Sequence, residues 1–281
     1  MSATDHGRWR DSLEDIEASV LLDAIHRHYG FDFREYSPAS MRRRLTKRRD
    51  EEGLSTLSQL QDLVLHDEAA MERLLLGLSI NVTAMFRDPG FYAAFREHVV
   101  PLLRTYPFFR IWDAGCSTGE EAYSLAILLH EEGLLDRARI YATDMNEAVL
   151  EQARTGIFPI DNMKDNTSNY VRAGGTAAFS DYYLARYDGA LFHRFLSEQI
   201  VFARHNLVTD GAFNEFHVVI CRNVMIYFDA NLQTRVHGLF HDSLARKGVL
   251  ALGAKESLRF TPFEDRYDDL DRTWRLYRKT T

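Results

Sequence analysis

Cysteine is almost absent from this chain of 281 residues: Cys116 and Cys221 are the two it contains. A disulfide framework is therefore not expected, and both thiols read as small buried residues near a site. No apolar run is long enough to cross a bilayer, and the opening Met-Ser-Ala-Thr-Asp-His-Gly-Arg has no signal-peptide core, so a cytosolic location is expected. No internal repeat or low-complexity tract occurs. Basic charge is not in excess either. A net charge of -7 argues against wholesale nucleic-acid binding and leaves room only for a local basic patch. What is present, 46% hydrophobic residues, suffices for a full core in one large domain or two unequal ones.

A dinucleotide motif is missing in an informative place. Ile111-Trp112-Asp113-Ala114-Gly115-Cys116-Ser117-Thr118-Gly119-Glu120-Glu121 reads as a strand, a glycine turn and a helix start, and Ile140-Tyr141-Ala142-Thr143-Asp144 follows as a second strand ending in an acid. A parallel sheet gathers such turns along one edge, where ligands bind. Gly115 and Gly119 let the backbone approach a bound molecule, and Asp144 can accept from two ribose hydroxyls, so an adenosine-containing cofactor is expected. A pyrophosphate would want G-x-G-x-x-G at this turn. Glu120 and Glu121 would repel phosphate and suit a cationic ammonium, as on the methionine end of S-adenosylmethionine. The plainer alternative is a tight turn with solvent-facing glutamates.

Periodicity divides the chain. Ser12 caps a segment with Leu13, Ile16, Val20, Ala24 and His28 on one face; Leu57, Leu60 and Val64 form a second helical stripe, and Met71, Leu74, Leu75 and Leu78 a third. Between the first two, six of the eight residues from Arg42 to Arg49 are basic, and only Met41 and Leu45 offer packing, so most of this helix should face water. Asp88-Pro89 supplies an N-cap and first residue for a helix carrying Phe91, Phe95 and Val99. Strands are predicted at 109–114, 139–143, 216–220 and 248–252, helices at 120–130, 147–154 and 230–245, and a final edge strand at 273–278. This alternation indicates an α/β layered domain. Around Gly174-Gly175, Tyr182-Tyr183 and Asp188-Gly189 the pattern breaks into a small inserted β subdomain. The expected organisation is a helical domain over 1–80, a linker over 81–92 contributing to the cofactor site, and a cofactor-binding domain over 93–281 with its insert at about 157–203.

Four clusters stand at element ends: Asn81-Val82-Thr83-Ala84-Met85-Phe86-Arg87, the glycine turn, Asn206-Leu207, and Cys221-Arg222-Asn223-Val224-Met225-Ile226-Tyr227-Phe228. With Ser117-Thr118-Gly119-Glu120-Glu121 and the last of these, the chain from about Val20 onward resembles the chemotaxis receptor methyltransferases, the CheR family of protein-glutamate O-methyltransferases. The resemblance implies an α/β fold: a class I S-adenosylmethionine-dependent methyltransferase (Rossmann-like) sheet with an inserted small β subdomain, preceded by an all-α N-terminal domain. It implies S-adenosyl-L-methionine as cofactor, S-adenosyl-L-homocysteine as product and no metal. It further implies methyl esters formed on glutamates of chemoreceptor cytoplasmic helices, by a cytoplasmic monomer that neither binds nucleic acid nor inserts into a membrane. Carried over residue by residue, the cofactor contacts fall on Asn81, Thr83, Arg87, Glu121, Asp144, Asn206, Leu207, Arg222 and Asn223. Asp144 would bind the ribose, Asn206 the adenine amino group through its side-chain acceptor, and Glu121 the polar edge. The plainer roles are a turn or cap for Asn206 and Asn223, and a surface charge for Arg222. Two departures stand out. Ala122 replaces the family's usual proline at a helix N-terminus, which should be harmless. Gly174-Gly175 and the tyrosines after it match only loosely the subdomain with which some members grip a receptor's C-terminal peptide.

Methyl transfer to a glutamate carboxylate needs no general base, because the nucleophile is ionised at neutral pH. Catalysis then consists of positioning and desolvation. Arg87 and Tyr227 are the candidate catalytic residues. Arg87 can fork onto a carboxylate, either the acceptor's or the cofactor's own. Tyr227 can donate one hydrogen bond without neutralising the nucleophile; its plainer role is a core tyrosine. Glu-rich receptor helices would be drawn to Arg43, Arg44, Lys47 and Arg48, the alternative being a solvated charged face. Two other functions compete. A catalytically weak methyltransferase-like adaptor should have lost Arg87, Asp144 or the Arg222-Asn223 pair, and all are present. An RNA methyltransferase docking through the basic helix is opposed by the acidic net charge and the lack of an aromatic-studded basic groove.

Overall fold

Four helices form the first part of the computed structural model, which describes residues 12–78 and 83–280: α1 (Leu13–Tyr29), α2 (Pro38–Glu51), α3 (Leu57–His66) and α4 (Glu68–Leu78). Asn81 therefore lies outside the described residues. Ser12 caps α1 as predicted, its hydroxyl accepting the Asp15 N–H at 3.2 Å, and Gly30 ends the helix in the left-handed region at φ 78°. Thr56 and Gln59 start α3 with a reciprocal capping box. The second and third stripes are buried as expected. The first is not. Leu13, Ile16 and Val20 are 73%, 56% and 50% exposed, and α1 instead buries Ala18, Leu21, Leu22 and Ile25. Apolar residues occupy two faces of this helix, and the face with the denser set, Leu21-Leu22-Ile25, is the one that packs. Residues Tyr227–Gln233, far along the chain, belong to this same unit. Tyr36 bridges to Phe228 with rings 4.9 Å apart, Ser37 N–H donates to the Tyr227 carbonyl at 2.8 Å, and Asp229 N–H to that of Glu35 at 2.9 Å.

The second unit, Val82–Ile226 with Thr234–Thr281, opens with α5 (Pro89–Ala94), a π-helical turn over Phe95–Val99, and α6 (Val100–Leu103). There follow β1 (Phe109–Ala114), α7 (Glu120–Glu131), β2 (Ala138–Asp144), α8 (Glu147–Thr155), β3 (Ile157–Pro159), α9 (Met163–Arg172), β4 (Tyr183–Arg186), β5 (Gly189–Phe192), α10 (Arg194–Ser197) and β6 (Ile200–Arg204). The chain ends through β7 (Phe216–Cys221), α11 (Ala230–Ser243), β8 (Leu244–Leu252), β9 (Tyr267–Asp271) and β10 (Leu276–Lys279). Seven strands form one sheet in the order β6-β2-β1-β7-β8-β10-β9, parallel from β6 to β8 and antiparallel at β10 and β9. β1 and β7 are buried almost throughout, as parallel strands covered on both faces must be. The chain runs from β1 to β2 on one side and later returns to β7 on the other. A crevice consequently opens beyond the carboxyl end of β1.

Two boundaries differ from the sequence prediction. The last strand is not an edge, because β9, whose acidic Tyr-Asp-Asp-Leu-Asp lacks a strand signal, pairs outside it. The insert's expected limit near 203 falls within β6, which belongs to the main sheet. The three-stranded sheet, order β3-β5-β4, ends at Phe192. It buries Phe158, Ala190 and Phe192 and leaves Ile157, Leu191 and Leu184 exposed in one cross-strand row.

Glu131, at the end of α7, ties the insert to the rest of its unit. Its carboxylate accepts from the hydroxyls of Tyr170 and Tyr182 and the backbone N–H of Thr176, and pairs with Arg96. Burial alone would raise its pKa, but the Tyr170 and Thr176 hydrogen bonds and Arg96 hold it below the usual carboxyl range. Its stabilising contribution is then present above the unfolded pKa of about 4.3 and lost as pH falls through the lower folded value. Glu131→Ala should cost about 3 kcal/mol in urea unfolding at pH 7. Below about pH 4 the wild type should lose stability more steeply than Glu131→Gln.

Candidate active site

The glycine turn after β1 is wound tightly. Gly115, Ser117 and Gly119 all have positive φ, at 86°, 50° and 96°. A side chain at Gly115 would be strained by that φ and would also meet Val224 Cγ2 at 2.4 Å. The Gly115 and Cys116 N–H groups both donate to the Thr143 carbonyl, at 2.8 and 2.9 Å, so the turn is anchored to the end of β2. Asp144 completes the anchor: Oδ2 accepts the Ser117 N–H at 3.1 Å and Oδ1 the Asn146 N–H at 3.0 Å. Burial raises its pKa, with these N–H groups pulling the other way. Each carboxylate oxygen keeps a second lone pair for a further donor.

Arg222, directly after β7, is buried to 2% side-chain exposure, which removes the surface-charge reading. Its guanidinium donates to Glu121 at the start of α7, to Asp88 Oδ2 at 2.9 Å and to the Arg87 carbonyl at 3.0 Å, and lies 4.1 Å from the centroid of Phe91. Burial would lower its pKa, but Glu121, Tyr92 and Asp88 more than offset this and raise it. Asp88 stands at the expected N-cap position of α5 with Pro89 after it, but its side chain does not cap. Its backbone is left-handed at φ 58°, it makes no capping bond, and its carboxylate serves Arg222 instead. The segment bearing Thr83 and Arg87 is fixed at its middle, where Met85 N–H donates to Asn166 and Phe86 N–H to Ser124 Oγ at 2.9 Å.

Asn206 and Leu207 are buried just past β6. The Asn206 side-chain oxygen accepts the Val208 N–H at 3.0 Å, the turn role, so any adenine contact would use its remaining lone pair. Asn223 is left-handed at φ 64°, held by a residue that sequence reasoning missed. Glu256, beyond β8 and 5% exposed, accepts four backbone N–H groups: those of Gly253, Asn223, Val224 and Met225, at 2.7 to 3.0 Å. An acid four residues beyond the end of an apolar strand was the available signal. Asp113, on β1 and 1% exposed, was missed as well; a carboxylate inside a buried strand marked it.

The first unit treats its named residues differently. Tyr227 has the Arg44 guanidinium 4.3 Å from its ring centroid, and Arg44, 7% exposed, also donates to the Leu78 carbonyl. Arg44 is therefore not a docking residue exposed to solvent, because its charge is used inside the unit. Arg48 is mostly covered and pairs with Glu51 and Glu52, whereas Arg43 and Lys47 are exposed.

The second unit's arrangement fits S-adenosylmethionine. A left-handed turn gives backbone access, Asp144 can take two hydroxyls, and the carboxylates at the helix start suit an ammonium better than a phosphate. Asp144→Ala should weaken S-adenosylmethionine binding by roughly 1–3 kcal/mol in calorimetry, with circular dichroism confirming a folded variant. Unchanged affinity would remove Asp144 from the site.

Comparison with known proteins agrees with this geometry. Residues 81–275 match the SAM binding domain of the CheR methyltransferases, and residues 16–79 their all-alpha domain. The chain is 48% identical to the Pseudomonas putida protein Cher3, named as a candidate methyltransferase, over 95% of this chain and 97% of that one. It is 29% identical to a chemotaxis protein methyltransferase of Listeria innocua, over 88% and 92% of the two chains. With the Escherichia coli chemotaxis protein methyltransferase the figures are 27%, 92% and 89%. The chain belongs to the CheR methyltransferase family, with an all-α domain followed by an S-adenosylmethionine-binding α/β domain.

Proposed function

We propose that this methyltransferase esterifies glutamate side chains on the cytoplasmic helices of chemoreceptors. The observation that carries the reading is the charge inventory of the site. Among the described residues, the ionisable side chains that meet around Arg222 and Asp144 are the carboxylates of Asp88, Glu121 and Asp144 and one guanidinium, and the neighbouring imidazole of His205 turns instead onto Trp112 and Phe213 and bonds the Gly211 carbonyl. Such a site suits an acceptor that arrives already ionised, and a carboxylate does so at neutral pH. Bound S-adenosylmethionine supplies an electrophilic methyl group. With it bound, the acceptor oxygen would take that carbon while the carbon–sulfur electron pair stayed on sulfur. Asp144 holds the ribose, Glu121 the polar end of the cofactor, and Arg87 forks onto a carboxylate so that the acceptor lies in line. The relatives named as chemotaxis protein methyltransferases support a chemoreceptor as substrate. The exposed row Ile157-Leu191-Leu184 offers an apolar face to a receptor's C-terminal peptide.

Arg43 and Lys47, the latter exposed although 3.6 Å from Glu51, are the charges that steer acidic receptor helices, so the double variant Arg43→Ser, Lys47→Ser should raise KM for a receptor cytoplasmic fragment and leave cofactor Kd unchanged. Its rate should also depend less on salt than the wild type's. Labelled-methyl transfer to that fragment tests the whole reading, and base-labile label on glutamate is the expected product. Label appearing on RNA or not at all would defeat it.

Tyr227→Phe should lower kcat about ten- to a hundredfold with cofactor Kd unchanged if its hydroxyl orients the acceptor. A normal kcat would instead leave Tyr227 as support for Arg44. Arg87→Ala should cost more, roughly 3–5 kcal/mol in kcat/KM.

A further inference from the structure

We infer that Glu256 is a positioning residue that turns the peptide carbonyls of Arg222 and Asn223 toward the cofactor's positively charged sulfur, a contact that S-adenosylmethionine receives and its neutral product does not. The inference rests on the cofactor assignment. Glu256 stands four residues beyond β8 and is 5% exposed. Its Oε1 accepts the backbone N–H groups of Val224 at 2.9 Å and Met225 at 2.8 Å, and its Oε2 those of Asn223 at 3.0 Å and Gly253 at 2.7 Å. A side chain at Gly253 would meet Oε2 at 2.4 Å and the Asn223 nitrogen at 2.9 Å, so the cradle closes only around glycine. Four donors fill the two lone pairs of each oxygen, which leaves no position for a proton. Glu256 therefore acts as a carboxylate. Burial raises its pKa, and the four N–H groups oppose that rise.

An internal carboxylate at this place fixes where the carbonyls go. Three of its donors are consecutive, from Asn223 to Met225, the anion-holding arrangement that the left-handed backbone of Asn223 at φ 64° permits. The described peptide bonds are trans, so each carbonyl points opposite to the N–H of the residue after it. The Arg222 and Asn223 carbonyls share their peptide planes with the Asn223 and Val224 N–H groups, and so face away from Glu256. Neither accepts a hydrogen bond from another described residue. β7 has β8 on one side and β1 on the other, so with Glu256 beyond β8 the opposite direction is that of the glycine turn. Val224 lies against that turn, its Cγ2 2.4 Å from where a Gly115 side chain would begin. Two partial negative charges are thus presented to the crevice. A sulfonium there is attracted by them, and the uncharged sulfur of S-adenosylhomocysteine is not.

Calorimetry with the charged and the neutral form of the cofactor tests this. Glu256→Gln keeps the shape of the side chain but sets an N–H₂ group against two of the four N–H donors, so the turn loses its hold. The S-adenosylmethionine Kd should rise about five- to tenfold, while the S-adenosylhomocysteine Kd should stay within about twofold of wild type. Glu131→Gln, which alters a buried carboxylate elsewhere in the unit, is the control, with both affinities as in wild type. If both Kd values rise in step in Glu256→Gln, the residue only maintains the fold and the inference falls; it falls too if neither moves. A second readout needs no variant. In labelled wild-type protein the carbonyl-carbon NMR resonances of Arg222 and Asn223 should shift further on adding S-adenosylmethionine than on adding S-adenosylhomocysteine. Equal shifts would overturn the inference, even where Glu256→Gln does not fold. Failure of the wild type to bind either form would overturn the cofactor assignment instead.

Discussion

The site depends on one buried cation. Three pieces of chain that are remote in sequence meet at Arg222: the end of β7, the first turn of α7 through Glu121, and the Arg87-Asp88 segment. A guanidinium suits this junction because its planar fork can donate in three directions at once. It tolerates burial because three acceptors take its N–H groups, and because Phe91 closes one face. Removing the cation would strand two carboxylates, and removing either carboxylate would leave the cation underpaired. The geometry of the candidate site is therefore set by mutual neutralisation, with packing in support.

Much of this was legible in the sequence because local chemistry constrained it. Ile111 to Glu121 could hardly be anything but a buried strand and a left-handed turn. The acid at Asp144 fell at a strand end because apolar periodicity placed it there. What could not be read depended on partners distant in the chain. Nothing near Glu256 announces that its carboxylate will collect four N–H groups from two loops. Asp88 takes the N-cap position its sequence suggests, but its carboxylate is drawn to a guanidinium 134 positions away. On α1 both candidate faces were apolar, so periodicity could not choose between them.

The basic helix shows the same limit in electrostatic form. Counted along the chain, Arg42 to Arg49 is a dense positive run. In three dimensions Arg42 meets Asp15 at 2.9 Å, Arg49 meets Glu14 at 3.0 Å, Arg48 meets two glutamates, and Arg44 is sealed over Tyr227. The field offered to a partner is far smaller than the composition implies. What remains is local, at Arg43 and at the exposed Lys47, which itself lies 3.6 Å from Glu51.

The strand order carries a consequence for how the site is assembled in time. β2 pairs with β6 across sixty residues, Ile140 opposite Ile200, and the three-stranded insert lies between them. β1 must likewise wait for β7, more than a hundred residues later, to pair Ile111 with Val218. Parallel pairings over such separations close large loops and form slowly. The two walls of the crevice at the candidate site are thus made from opposite ends of a long excursion, and they are not yet paired in a nascent chain that has just emitted its glycine turn. A cofactor that binds across those walls adds its binding energy to the contacts that are slowest to form, and so retards their opening in the finished protein.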